Sequence, residues 1–564
     1  MAGLDQVQHI VVLMLENRSF DHVCGFLKRR IPALDGLTGT ETVPRDPAAG
    51  SGNSVPVSDD APPVTDVDPG HALGDVSEQM YGRPDPEFPA NGTNNGFVAN
   101  YRRYAGSDQA AGDIMRCFAP ENLPVLTALA EEFAICDGWF ASLPGPTWPN
   151  RVFVHAGTSA GHTDNGFRLY DIPTIFQRLE QAGRTWCVYY HDVPQALVFP
   201  HVTPHYLNPF SRKVRPFEQR FVDDVKKGRL ADYVFIEPRY LDTPELDANR
   251  EPTGRWLWAN DQHPPHDMRH GEHLIADVYE TLRQSKLWPG VLMIVLYDEH
   301  GGFYDHVFPE KAVPPTATPP GSGLFRFDRL GVRVPAVVVS PLVERGALDH
   351  DANGRPIVRD HTCVLATIAK RFGLAPLGDR DAVAPALDTL LTRSTLRLAE
   401  AEAPMRLPRP AVDPPLQPVI PPQSVASSNF ARTAAMPRTA TPARSRQTAR
   451  TMLSAGPRRE RPLSDLQQNV LQLLAHASAL EAARKRGKPV AGTRTVGESV
   501  AYQAGATPAA VHHGAVPRPK PKTKKAAAKV TPSKTQPSRR ADRPRRGTKR
   551  TAARSHRRTR RVRR

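Results

Sequence analysis

The sequence predicts an α/β protein whose mostly parallel sheet is flanked by helices and followed by a basic tail. Three observations predict it: apolar runs of strand length that stop abruptly at polar turns, helical periodicity between such runs, and a sharp division of aromatics and charge along the chain. His9–Leu15 (HIVVLML) is a β-branched apolar run that stops at Glu16 and Asn17, the pattern of a buried strand feeding a turn. Residues 40–70, rich in Pro, Gly, Ser and Asp, read as a long surface loop. Glu121–Phe133 has helical apolar spacing. Residues 142–151 (SLPGPTWPNR) carry three prolines, which argues against a helix interior or a central strand. Gly271–Trp288 places Leu274, Ile275, Val278, Tyr279 and Leu282 on one helical face. Val291–Tyr297 (VLMIVLY) follows as a continuous apolar strand ending at Asp298-Glu299-His300-Gly301-Gly302, and Val334–Ser340 reads as another, ending at Pro341. Helix, buried strand and polar turn in repetition are the mark of a parallel sheet, where ligands gather at the carboxyl ends of strands. Glu16 and Asp298 therefore point to one rim.

The 564 residues carry a net charge of +16, but residues 518–564 hold 21 Lys or Arg against one acid, Asp542. That segment accounts for +20, so the other 517 residues sum to about −4 and the body is mildly acidic. After Phe430 the last 134 residues contain only Tyr502 among aromatics, too little apolar surface to offset chain entropy. The expected organisation is a main domain over residues 1–400, a Pro-rich linker over 401–460, an amphipathic helix over 461–487 and a disordered basic tail over 488–564. The helix rests on Leu463, Leu466, Val470, Leu473 and Leu474 at helical spacing, and is expected to dock on the body or on a partner. Five scattered cysteines without a CxxC pair disfavour a disulfide scaffold or a thiolate zinc site. No apolar run is long enough to span a bilayer, so no transmembrane segment is expected. The N-terminus shows no basic leader, which makes a cytoplasmic location the default expectation and leaves export without a cleavable leader open.

Glu16, Asn17, Asp298 and Glu299 offer hard oxygen ligands suited to Mg²⁺, Ca²⁺ or Mn²⁺. Each pair directly follows a buried strand, although a strand-end acid taken singly is usually a cap. Thr147 lies in a Pro-flanked loop with Asn150 three residues on. Such a hydroxyl is either a nucleophile activated by a cation, with Asn150 donating to developing negative charge, or a turn hydroxyl bonding its own backbone. NDQHPPHDMRHGEH brings His263, His266, His270 and His273 close in sequence, and His71 follows an Asp-Pro-Gly turn. Metal ligation, proton transfer and simple solvation are all open to these histidines.

ENRSFDH (Glu16–His22), PTWPNR (Pro146–Arg151), NDQHPPHD (Asn260–Asp267), YDEHGGFYDHV (Tyr297–Val307) and DHTCVLATI (Asp360–Ile368) occur in this order. Together they resemble the phosphoesterase family of bacterial and plant non-specific phospholipases C and related acid phosphatases, over roughly residues 5–400. The resemblance implies an alkaline-phosphatase-like fold. It also implies one divalent metal ion held by Glu16, Asn17, Asp298 and Glu299, with Thr147 as nucleophile. Asn150 and His71 would bind phosphoryl oxygens, and His263 would protonate the leaving group. His266 matches a second motif histidine whose role stays open, while Asp305, His306 and His361 are expected to be structural. The activity implied is phospholipase C hydrolysis through a phosphothreonine, with acid phosphatase action on small phosphomonoesters as the alternative. The substrate is accordingly a phospholipid or a small phosphoester. The basic tail lies outside the family pattern and is expected to bind anionic membrane surfaces or nucleic acid without sequence preference.

Overall fold

The computed structural model describes residues 3–49, 53–247, 251–315, 325–412 and 464–486. The basic segment 518–564 and most of the Pro-rich segment lie outside these residues.

At the centre is a sheet of eight strands: β1 (His9–Leu15), β2 (Ala134–Ile135), β3 (Trp186–Tyr190), β4 (Val214–Pro216), β5 (Tyr233–Glu237), β6 (Val291–Tyr297), β7 (Ala336–Val339) and β8 (Ala347–Leu348), in the order β8-β2-β7-β6-β1-β5-β3-β4. β1 pairs in parallel with both β6 and β5, and β3 pairs in parallel with β5 and β4. β7 is antiparallel to both of its neighbours, β6 and β2, while β8 is parallel to β2. The mostly parallel α/β sheet expected from sequence is thus present, with β7 reversed. An apolar run buried on both faces carries no mark of its direction, which is why Val334–Ser340 read like its parallel neighbours. Residues 10–15 of β1 are fully buried and β6 is at most 1% exposed, which explains why both are apolar without alternation.

The helices that matter for the site are α1 (Phe20–Cys24), α2 (Pro124–Glu132), α3 (Thr147–Ala156), α4 (Met268–Arg283), α5 (Thr362–Phe372) and α6 (Asp465–Lys485). The spacing over 121–133 corresponds to α2. The pattern over 271–288 corresponds to α4, which starts earlier because the Asp267 carboxylate caps it by accepting from Arg269 N at 3.0 Å. The expectation of a loop through residue 151 is corrected: the loop ends at Pro146 and a helix starts at Thr147. Pro149 is tolerated because it sits in the first turn, where an N–H has no intrahelical partner.

Residues 398–411 run along α4 rather than leaving the body. The Tyr279 hydroxyl donates to Pro404 O at 2.6 Å, Arg283 Nη2 donates to Ala403 O at 2.9 Å, and Arg409 pairs with Asp277 at 2.9 Å. α6 opens with a capping box between Ser464 and Gln467, and its Leu466, Val470, Leu473 and Ala477 are at most 2% exposed. No helix among the described residues is long and apolar enough to cross a membrane.

Candidate active site

Parallel pairing of β1 with β6 sets Leu15 opposite Tyr297, so the residues that follow, Glu16-Asn17 and Asp298-Glu299, emerge side by side from the two central strands. All four are fully buried. The turn after β1 is held by Asp298 Oδ1, which accepts from Asn17 N at 3.0 Å and from Glu299 N at 2.8 Å. Asn17 takes a left-handed backbone (φ +53°), a conformation asparagine tolerates better than most residues. Across from it Gly301 has φ +62°, and a Cβ there would stand 2.2 Å from the Asn17 carbonyl oxygen. Only glycine fits both the torsion and the space.

Thr147 is the first residue of α3, and its hydroxyl donates to Asn17 Oδ1 at 3.1 Å. The Asn17 amide nitrogen lies 2.8 Å from His71 Nδ1, which also meets Glu299 Oε1. His71 is 6% exposed, and its ring centroid stands 6.1 Å from that of the fully buried His263. His263 Nε2 makes no hydrogen bond and lies 4.0 Å from Asp68 Oδ2. His266 joins the same group from behind, with Nδ1 2.7 Å from Asp261 Oδ1 and Nε2 3.1 Å from Gln467 Nε2 of α6. Asp261 in turn offers its carbonyl to Glu16 N at 2.9 Å. The structure therefore brings together Glu16, Asn17, His71, Thr147, His263, Asp298 and Glu299, with His266 bracing them.

Asn150 is placed differently. Its amide nitrogen donates to the carbonyls of Gly145 at 2.9 Å, Pro146 at 3.2 Å and Leu143 at 3.3 Å, and its Oδ1 accepts from Leu143 N at 3.1 Å. It ties down the loop that delivers Thr147, and its donors are directed at that loop rather than at a phosphoryl group.

Three residues shape the site without having been singled out from sequence. Arg151, one turn below Thr147, sets Nη2 2.6 Å from Glu16 Oε1 and Nε 3.6 Å from Asp298 Oδ2. Gln195 Nε2 donates to Glu16 Oε1 at 3.1 Å, and Asp68 faces His263. Arg151 had a signal, since it stands four residues after Thr147 in PTWPNR and so lies on the same helical face. Gln195 opens a short 3-10 helix with no pattern to mark it, and Asp68 stands in the Asp-Pro-Gly turn ahead of His71, where it reads only as a turn residue. His361, expected to be structural, places Nε2 2.6 Å from the Asp298 carbonyl oxygen and so supports the β6 turn. Asp305 and His306 join Asp21 and Arg333 in a separate buried ionic network.

The electrostatics favour a cation. Burial pushes the Glu16 carboxyl well above its ordinary range. Arg151 pulls it back, and Asp298 and Asp261 push it up again. Burial acts the same way on Glu299, but His71 and His300 outweigh it and hold that carboxyl at about 2. Glu16 Oε2 and Asp298 Oδ2 are buried without a hydrogen-bond donor. Buried carboxylate oxygens with lone pairs unmet are hard donors of the kind a divalent ion takes. Beside them, the ligand atoms of Asp68, His71 and His263 fall within 4.8 Å of one another, as do those of Asp21, Asp305 and His306 in the separate ionic network.

A central mostly parallel sheet carries a hydroxyl, carboxylates and histidines at its carboxyl rim, an arrangement that suits a charged, oxygen-rich group. Residues 7–375 match the model of the Phosphoesterase family, and the chain belongs to that family. It is a phosphoric ester hydrolase. The sequence is 36% identical over 436 residues to non-specific phospholipase C6 of Arabidopsis thaliana, covering 75% of this chain and 78% of that protein. It is 30% identical over 414 residues to phospholipase C B of Mycobacterium tuberculosis, covering 66% and 74% respectively. Among solved structures, a protein in the alkaline phosphatase superfamily from Vibrio parahaemolyticus aligns with 46% of this chain and 64% of its own at 11% identity and a TM-score of 0.28.

Proposed function

We propose that the protein is a phospholipase C that cleaves a phospholipid into diacylglycerol and a phosphorylated headgroup through a phosphothreonine on Thr147. The observation that carries this reading is the Thr147 hydroxyl, buried at the start of α3 and directed at Asn17 Oδ1 among the strand-end carboxylates. The names of the relatives, phospholipases C from a plant and a bacterium, favour a lipid ester. A divalent ion held by Glu16, Asn17, Asp298 and Glu299 would lower the pKa of the Thr147 hydroxyl and neutralise phosphoryl charge.

The residues then divide the work. Thr147 Oγ1 attacks phosphorus as the alkoxide, its hydroxyl proton given up beforehand to bulk water, and the bond to the glycerol oxygen breaks in line. His71, the most exposed of the group, binds the equatorial oxygens. His263, with Nε2 unbonded, gives its proton to the departing alkoxide, producing diacylglycerol. It then takes a proton from water, which attacks phosphorus and releases the phosphorylated headgroup with Thr147 restored. Asp261, through His266 and through its carbonyl on Glu16, holds this wall in register. Arg151 and Gln195 keep Glu16 oriented.

The test is ³¹P NMR of the full-length protein with phosphatidylcholine micelles and a divalent metal, beside Thr147→Ala. A Thr147-dependent phosphocholine signal is expected. Release of inorganic phosphate from a simple monoester with no lipid cleavage would instead make the enzyme a phosphatase. A Thr147→Ala variant that kept most activity would overturn the mechanism.

A further inference from the structure

β5 ends at the same rim as Glu16 and Asp298, because it pairs in parallel with β1. Beyond that rim the chain runs into a two-stranded antiparallel hairpin, Thr243–Leu246 with Pro252–Leu257, and returns directly into Asp261 and His263. The returning strand, PTGRWL, ends in an apolar pair that Trp258 extends. Leu257 is 38% exposed, and Trp256 and Trp258 are half-buried. The two indoles, two residues apart and so on one face, stack at 5.9 Å between centroids. Trp258 stacks in turn on His270 of α4 at 6.1 Å, which ties the aromatic face to the helix that follows the HPPHD segment. Arg255 bonds Glu245 at 2.6 and 3.1 Å, and residues 243–257 carry three acids (Glu245, Asp247, Glu251) against two arginines (Arg250, Arg255).

We propose that this hairpin is the lipid-docking surface of the enzyme, entering edge-on so that Trp256 on one face and Leu257 on the other both reach headgroup depth in a zwitterionic phospholipid surface. The proposal rests on the phospholipase reading above and adds how the site reaches a substrate packed in a bilayer. Tryptophan is favoured at the membrane–water boundary, where its ring is apolar and its N–H stays wet. Docking there brings the Asp261–His263 segment, only a few residues along the chain, to the headgroup layer. The mildly acidic body and the acid excess of the hairpin itself disfavour an anionic surface, so the occupant is a neutral phosphatidylcholine interface held by apolar contact.

The chain carries its own probe. Of the six tryptophans, Trp139, Trp148, Trp186 and Trp288 are at most 2% exposed, which leaves Trp256 and Trp258 to meet acyl chains. Full-length protein in the Thr147→Ala background, which leaves the lipid intact, is titrated with phosphatidylcholine vesicles bearing brominated chains, at about 0.5 M NaCl to screen the basic tail. The expected result is quenching of up to roughly one third of the tryptophan emission, two indoles of the six. Leu257→Asp should weaken vesicle binding about tenfold. Phe210→Ser should leave it unchanged. Phe210 is 90% exposed, but it lies near Arg212, which bonds the Arg229 carbonyl ahead of β5 at the opposite edge of the sheet. Absence of quenching, or equal quenching and binding in Leu257→Asp, would overturn the proposal. Because the parent protein is read directly, a misfolded variant does not obscure the result. Quenching without phosphatidylcholine cleavage by the wild-type protein would sink the phospholipase reading and leave the docking surface standing. Cleavage without quenching would do the reverse.

Discussion

Replacing Arg151 with methionine tests the charge balance beneath the site. The guanidinium is 3% exposed and stands 2.6 Å from Glu16 Oε1 and 3.6 Å from Asp298 Oδ2, both on fully buried residues. At an effective dielectric of about 20 the two attractions sum to roughly 10 kcal/mol with both carboxylates ionised, before subtracting the desolvation that pushes the Glu16 carboxyl up. Breaking a buried ion pair from one side costs about 3–5 kcal/mol, because the remaining charges stay buried and uncompensated. Met keeps most of the volume, so the loss should be electrostatic rather than a cavity effect. Thermal unfolding in EDTA should therefore show Arg151→Met destabilised by about 3–5 kcal/mol. Adding Mn²⁺ or Ca²⁺ should stabilise the variant more than the wild type, since the cation then supplies the only positive charge facing both carboxylates. A variant as stable as wild type in EDTA would refute the reasoning. So would a metal response no larger than that of the wild type.

Other outcomes follow from the same geometry. Gly301→Ala must adopt φ +62° and clear the Asn17 carbonyl, so turnover should fall at least about a hundredfold while the fold is retained, checked by activity beside circular dichroism. Burial would lower the His306 pKa, but Asp21 and Asp35 raise it from 6.5 to about 10. A raised folded pKa means stability fully present below about 6.5 and lost as pH rises through 10, a swing of a few kcal/mol that His306→Gln should flatten in denaturant titrations. Glu272 caps α2 by accepting from Val125 N at 2.6 Å and Leu126 N at 3.2 Å, and Glu272→Ala should cost about 1–3 kcal/mol in thermal unfolding with little change in substrate KM.

The strand ends were legible because their chemistry is local. A buried strand must be apolar without interruption, so the abrupt change at Glu16 and at Asp298 marks the rim in the sequence itself. The direction of β7 was hidden because burial on both faces erases it. Thr147 read as a loop residue because three prolines dominate its neighbourhood, and only the helix start shows that a first turn accommodates Pro149. Arg151 was visible in a quoted motif, but a buried cation has no periodicity of its own. Asn150 was carried over by motif position, and its role depends on which way one amide points, a property of tertiary contacts. The strap over 398–411 was hidden by proline content that resembles a linker, yet its carbonyls are needed by Tyr279 and Arg283.

The central claim is that Thr147 is the nucleophile of a two-step transfer. Its most direct test is the stereochemical course at phosphorus, measured with a chiral phosphorothioate analogue of phosphatidylcholine hydrolysed in ¹⁸O-labelled water. Two successive in-line displacements, first by Thr147 and then by water, predict overall retention of configuration. Inversion would mean that water attacks the ester directly, and would contradict the account.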